Sequence, residues 1–167
     1  VFLFSIATVI AAGEGTYGNE TYGNFSYGVS SSSSSSFSNN SVSVPANTPT
    51  IINGTTTNAV LELNTNSNAA GAVTLVKYDS QPPTVGTNTF ASPLNKYLDI
   101  VVDNSISSQL NYSILKMFYT DAEVSAANIQ ESSMRISRWN GSTWIQFNPP
   151  SGDVDIVNNF VWANISS

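Results

Sequence analysis

The chain contains no cysteine and no histidine. Without thiols it can form neither a disulfide framework nor a cysteine-ligated metal site. Without imidazole it can build no Ser-His-Asp or Cys-His triad and no histidine-ligated zinc or iron centre. Charge is also scarce: 10% of residues are Asp, Glu, Lys or Arg, against about 25% in typical soluble domains. Asn, Ser and Thr take their place, giving a surface polar through amides and hydroxyls, as is common outside the cell. The net charge is −6, and the five cations are Lys77, Lys96, Lys116, Arg135 and Arg138. Scattered cations on an acidic chain cannot replace the counterions of a phosphate backbone, so a nucleic-acid partner is excluded. An anionic membrane surface is disfavoured on the same ground.

No glycine-rich phosphate loop precedes a helix. The eleven carboxylates allow a glycosidase pair by number alone, but Glu62 lies in an alternating strand as an outward residue would. Asp121 with Glu123, or Asp153 with Asp155, supply oxygen ligands of the kind Ca2+ takes. Neither pair fits an EF-hand loop, and solvated loop acids are the simpler expectation. The chain is therefore expected not to be an enzyme, with no catalytic residue, cofactor or metal.

At 167 residues the chain suits one domain with about forty residues to spare. Three zones divide it. Residues 1–12, "VFLFSIATVIAA", are apolar apart from Ser5 and Thr8. They are too few to cross a bilayer, which takes about 20, so no membrane span is expected in the mature chain. They suit the remnant of a signal peptide cleaved near Ala11-Ala12-Gly13. They equally suit a retained strand that is apolar on both faces. Phe2, Phe4, Ile6 and Ile10 then share one face, and Val1, Leu3, Ala7 and Val9 the other. A helix of the type IV pilin kind ranks lower, because the stretch is short and rich in β-branched residues. Either origin places the protein outside the cytoplasm, at the cell surface or secreted.

Residues 13–40 are low-complexity. Tyr17-Gly18, Tyr22-Gly23 and Tyr27-Gly28 repeat at five-residue spacing, and serine fills positions 30–36. Such a composition is expected to serve as a spacer. Residues 41–167 carry short β-rich runs separated by turn signals about every ten residues. The runs are 41–44, 50–52, 59–64, 72–78, 96–103, 110–120, 133–139, 143–147 and 159–165. Asn140-Gly141 predicts a type I′ hairpin turn. A short helical piece is expected at 121–129, with Asp121 as its cap. The expected fold is all-β: an antiparallel β-sandwich, Ig-like or jelly-roll-like, of about eight or nine strands with an extended N-terminal arm. Trp139, Trp144, Trp162, Phe118 and Phe147 are expected to supply much of the core.

From about Lys96 onward, "KYLDIVVD", "FYTDAEV", "ESSMRISRWNGSTW" and "VNNFVWANIS" follow one another in an order and spacing that carry a resemblance. They resemble a β-sandwich module of secreted and cell-surface proteins of archaea, methanogens above all. The match covers some seventy residues; residues 59–78 resemble the module's earlier strands more loosely, and the first forty residues lie outside it. The resemblance implies a structural envelope module and carries over no catalytic residue. It also implies a further strand-forming segment after the last "VWANIS" strand. A domain one strand short of that pattern would present an open groove.

Seven Asn residues stand in Asn-X-Ser/Thr sequons: Asn19, Asn24, Asn39, Asn53, Asn111, Asn140 and Asn164. Covalent glycans are expected on some of them. Lys77, Lys96 and Lys116 lie in predicted strands, where an isopeptide link to Asn or Asp would stiffen a domain lacking disulfides.

Together these features lead to an expected function. The chain is read as the structural subunit of an extracellular filament or sheath, a homopolymer assembled head-to-tail. Its polymerisation segment would be Val1, Phe2, Leu3, Phe4, Ile6, Val9 and Ile10, donated to a neighbour. Tyr17, Tyr22 and Tyr27 would lie on the inter-subunit tether. The alternative is an adhesin or carbohydrate-binding module of a larger envelope protein, with exposed aromatics stacking on sugars.

Overall fold

The computed structural model describes residues 2–10, 34–80 and 94–165. Eleven strands are described. They are β1 (Phe2–Ile10), β2 (Ser34–Val44), β3 (Thr50–Gly54), β4 (Ala59–Thr65), β5 (Ala69–Tyr78) and β6 (Lys96–Val102). After them come β7 (Leu110–Phe118), β8 (Met134–Trp139), β9 (Trp144–Gln146), β10 (Gly152–Asp155) and β11 (Phe160–Asn164). Two short helices, α1 (Asn104–Ser107) and α2 (Asp121–Ala127), join β6 to β7 and β7 to β8. The strands form a six-stranded sheet in the order β2-β5-β6-β1-β8-β9 and a five-stranded sheet in the order β10-β11-β7-β4-β3. Every pairing between these strands is antiparallel. The expected all-β, antiparallel class is thus observed.

Alternation along the strands builds the core. In β4, Ala59, Leu61 and Leu63 are buried while Val60 and Glu62 are half-buried on the other side. Val73, Leu75, Leu98, Ile100, Met134 and Ile136 from the larger sheet join Leu61, Leu63, Leu115, Met117 and Val161 from the smaller one in a single buried cluster. Each such side chain contributes about 1.5–3 kcal/mol when removed from water, so the common core is what holds the two sheets together.

The expected aromatic core is corrected by this pattern. Of the five aromatics named above, Phe147 is buried, and Phe118, Trp139, Trp144 and Trp162 are half-buried. Parity is the reason. Trp162 sits between Val161 and Ala163, both fully buried, and therefore points to the opposite face. Phe118 meets Phe160 edge-on at 5.7 Å, with the Lys116 ammonium 4.9 Å from the Phe160 ring. The core is mainly aliphatic, with Phe147 and Tyr119 its buried rings, and the tryptophans lie half-buried on the outer faces.

Asparagine abundance has a structural cause here. Asn47, Asn58, Asn95, Asn128 and Asn159 all adopt positive φ between 51° and 55°, a left-handed conformation that Asn tolerates better than other side chains. The hairpin of β8 and β9 forms with Trp139 opposite Trp144, but not through a type I′ turn. Gly141 alone in that loop has positive φ, at 99°. Asn140 Oδ1 accepts from the backbone N–H of Ser142 at 3.0 Å and of Thr143 at 2.8 Å, which stabilises a longer loop instead. Helix α2 is capped by Thr120, not Asp121. Thr120 Oγ1 accepts from the Glu123 N–H, and the Glu123 carboxylate accepts from the Thr120 N–H, forming a capping box.

The domain also begins earlier than residue 41, because β2 runs back to Ser34 and takes the last seven residues of the low-complexity zone. As a sheet edge it needs only one strand partner, β5. Part of its open side is satisfied by the turn after β3: Ser35 Oγ donates to Thr56 O at 2.8 Å, and Thr56 Oγ1 donates to Ser36 O at 2.9 Å. The other outer strands, β3, β9 and β10, are five residues long or shorter, which limits edge-to-edge association. Strand β10 and helix α1 carry too few residues to show a period, and sequence pattern alone does not reveal them.

Candidate functional site

The first described strand lies inside the larger sheet. β1 lies between β6 and β8, antiparallel to both. On one side Phe2 to Thr8 pair with Val102 to Lys96. On the other, Ser5 to Ile10 pair with Trp139 to Met134. Without β1 the six-stranded sheet would divide into β2-β5-β6 and the β8-β9 hairpin. β6 and β8 are thus the walls of a slot that one apolar strand fills.

The register assigns the two faces of that strand. Phe2, Phe4, Ile6, Thr8 and Ile10 stand in the rows of buried Val102, Ile100, Leu98, Lys96, Ile136 and Met134, and Ile6 also stands opposite half-buried Arg138. Leu3, Ser5, Ala7 and Val9 stand in the outer rows, beside Val101, Asp99, Tyr97, Ser137 and Arg135. The sequence pattern places Phe2, Phe4, Ile6 and Ile10 on one face and Leu3, Ala7 and Val9 on the other, as this register does. Val1, which belongs to the proposed polymerisation segment, lies outside the described residues, as do Tyr17, Tyr22 and Tyr27 of the tether.

Connectivity adds a second property. β1 ends at Ile10 and β2 begins at Ser34, and the antiparallel order β2-β5-β6-β1 brings both ends to the same margin of the sheet. Three strand spacings of about 4.8 Å separate them laterally, and Ile10 lies three residues beyond the row that Ser34 shares with Ala7, so the ends are about 17 Å apart. The intervening segment 11–33 has 23 residues, which extend to about 75 Å at 3.3 Å per residue. The tether is about four times longer than its own domain requires.

Three of the five cations stand on the slot walls: Lys96 on β6, Arg135 and Arg138 on β8. The Lys96 Nζ is 2.6 Å from Glu123 Oε1 and its side chain is 7% exposed. Arg135 pairs with Asp153 at 3.1 Å. Arg138 lies over the Phe147 ring at 5.7 Å and donates to Ile165 O at 3.3 Å. The Lys96–Glu123 pair ties α2 to the Thr8 end of the slot. Burial pushes the Glu123 carboxyl up, but Lys96 and the capping bonds from Thr120 outweigh it and leave it below the ordinary 4.5. Its contribution to stability is therefore present above that value and lost as pH falls through the lower, folded-state pKa. Glu123→Gln is expected to destabilise the domain by about 1–3 kcal/mol in urea denaturation at pH 7, because the buried ammonium loses its counter-charge. The difference from the wild type should vanish in acid. Lys96→Met in the Gln background should recover part of the loss.

At the alkaline end, burial first, then Glu131, Asp121 and Asp155, push the Tyr119 hydroxyl up to about 12. Tyr78 and Tyr112 are raised as well, the first by burial and then Asp99, the second by its hydrogen bond to Glu62. Groups held neutral in the fold contribute their full stability below the unfolded value of about 10 and lose it above. A decline in thermal midpoint between pH 10 and 12 is the expected result.

The remaining sequence candidates fall elsewhere. The acids considered for Ca2+ are engaged singly: Asp121 accepts from Asn159 at 2.7 Å, Asp155 from Asn158 at 2.9 Å, Asp153 from Arg135, and Glu123 from Lys96. Among the described residues no group of three or more carboxylates could hold a metal ion. Of the strand lysines, Lys96 faces Glu123, Lys77 pairs with Asp79 at 3.2 Å, and Lys116 lies over Phe160. Sequons Asn39 and Asn53 are exposed on the edge strands β2 and β3, and Asn140 is exposed on the β8–β9 loop. Asn111 is on central β7 and its Nδ2 donates to buried Asn64 at 3.1 Å. Asn164 is half-buried in β11, and Asn19 and Asn24 lie outside the described residues.

The outer face of the larger sheet gathers aromatic rings. Trp139 and Trp144 meet at 5.4 Å and a 54° tilt, and Tyr78 and Trp144 pack against Tyr97, which is 3% exposed. The slot walls themselves were not foreseen, because pairing between residues 2–10, 96–102 and 134–139 is long-range and leaves no local spacing to read.

No helix among the described residues is long and apolar enough to cross a membrane. No family model, curated protein or solved structure matches the chain.

Proposed function

We propose that this chain is the structural subunit of an extracellular cell-surface filament or sheath, non-catalytic, which polymerises head-to-tail by donating residues 1–12 to the slot of a neighbour. The observation that carries this is the slot's occupant: an apolar strand, central in its sheet, on a tether about four times longer than closure within one chain needs. A strand exchanged between identical chains makes the same contacts in either setting, so the slot accepts β1 from its own chain or another. Handing each β1 onward is a heterologous contact and propagates into a fibre. The two sheets would then form a sandwich of Ig-like or jelly-roll-like kind, in keeping with the archaeal surface module that residues 96–165 resemble. Tyr17, Tyr22 and Tyr27 on the tether would pack against the receiving subunit.

Electron microscopy tests this on the native secreted material. Fibres are expected from the full chain and none from a chain lacking residues 1–12; normal fibres from the truncation would overturn the proposal. Glycan mapping by mass spectrometry on the same material is expected to find occupancy at Asn39, Asn53 and Asn140, whose amides are exposed. None is expected at Asn111, whose amide nitrogen is engaged in the fold.

A second function, an adhesin or carbohydrate-binding module, is favoured by one observation, the half-buried Trp139–Trp144 pair beside Tyr78 on an outer sheet face. Glycan-array binding lost in Trp144→Ala, by a protein that forms no fibres, would establish that function instead.

A further inference from the structure

β1 has two residues that are not apolar, Ser5 and Thr8. β6 has two charged residues, Lys96 and Asp99. The register sets Ser5 opposite Asp99 and Thr8 opposite Lys96. We infer that this double match is a register code, by which the slot fixes the alignment of the strand it receives. The inference rests on β1 being the slot's occupant and holds whether the strand comes from its own chain or another.

The competing alignments can be enumerated. A slip by one residue turns every side chain to the other face and is excluded by the core. A slip by two keeps the faces and is the real competitor. Shifting β1 one way places Ala7 opposite Asp99, Ile10 opposite Lys96 and Thr8 opposite Leu98, while retaining seven cross-strand pairs. Shifting it the other way places Leu3 opposite Asp99 and Ile6 opposite Lys96, with fewer pairs. Each slip removes both polar matches together.

The mismatch matters because Lys96 is buried and Asp99, though half-buried, has one carboxylate oxygen shielded from water. Lys96 is 6% exposed, and the Asp99 Oδ1 is buried without a hydrogen-bond partner. An aliphatic neighbour adds to the desolvation of either ion, whereas a hydroxyl-bearing residue does so less. On β8, Ser5 stands opposite Trp139 and Thr8 opposite Ile136; one slip would set Thr8 opposite Arg138 and the other Ser5 opposite Ser137, a single polar match in exchange for the two lost on β6. Without the two marks, the rest of β1 would present apolar faces to both walls in either alignment, since a slip by two keeps every side chain on its own face. An otherwise featureless apolar strand thus gains one address.

The test moves the code and leaves composition unchanged. In Ser5→Ala/Ala7→Ser/Thr8→Ile/Ile10→Thr the polar positions advance by two along the strand. NMR of the isotopically labelled full chain reads the alignment from cross-strand contacts of Val101. In the wild type Val101 should contact residue 3, and in the transplanted variant residue 5. Retention of the wild-type contact in that variant would overturn the inference. A second variant, Ser5→Val/Thr8→Val, should populate slipped alignments at least about tenfold more than the wild type; a single unchanged alignment there would equally overturn it. Mixing labelled with unlabelled chains shows separately whether these contacts are within or between chains. Failure of strand exchange is thus distinguishable from failure of the register code.

Discussion

A chain lacking residues 1–12 is expected to lose most of its folding stability and to regain it when a peptide of the same twelve residues is added. The deletion removes the shared partner of β6 and β8 and opens two strand edges in the middle of a sheet. It also bares the row of Leu98, Ile100, Val102, Met134 and Ile136, all now buried. Domains of this size are stable by about 5–15 kcal/mol in total, and the loss of a central strand is of that order. The truncated protein should aggregate or show a strongly depressed thermal midpoint. The peptide should bind with micromolar or tighter affinity, raising the midpoint in proportion to the logarithm of its concentration. A truncated chain that unfolds cooperatively at the wild-type temperature would mean that β1 is dispensable and the slot is not a binding site.

Shortening the tether should have the second large effect, and of opposite kind. Removing residues 13–33 leaves two residues between Ile10 and Ser34. Three steps of about 3.8 Å then reach about 11 Å, short of the gap of about 17 Å between these ends. β1 can no longer enter its own slot but can still enter that of a neighbour. Light scattering should therefore find dimers or longer assemblies at concentrations where the full chain is monomeric. The full-length tether supplies an effective concentration of the order of millimolar, which favours closure in dilute solution. A tether of Gly and Ser at the original length should keep that balance. A folded monomer from the shortened chain would show that the closing path is not the one described.

Much of the architecture was legible in the sequence, for physical reasons that differ by element. Leu61 and Leu63 alternate with Glu62, so β4 could be read from its period. The β8–β9 hairpin was legible from Asn140-Gly141, although the turn type was not, because the Asn140 side chain closes a longer loop than its backbone preference implies. The two faces of β1 could be assigned from residue order alone. Its neighbours could not, since pairing partners about 90 and 130 residues away are selected by tertiary packing. The aromatic residues misled, because a large ring is equally at home half-buried on an outer sheet face, as Trp139, Trp144 and Trp162 are. Ser34 to Asn40 gave no strand signal. An edge strand held by side-chain bonds from Ser35 and Thr56 needs little propensity of its own.

The absence of cysteine makes one measurement unusually direct. Two variants are prepared, one carrying Leu3→Cys and the other Val101→Cys, a pair that the register sets opposite each other. They are mixed under assembling conditions and oxidised, and the fibres are separated on a non-reducing gel. Donation between subunits predicts a disulfide-linked pair composed of one chain of each kind. If cross-linking instead requires both cysteines on the same chain, and mixed fibres yield none, β1 stays at home and the proposed assembly is contradicted.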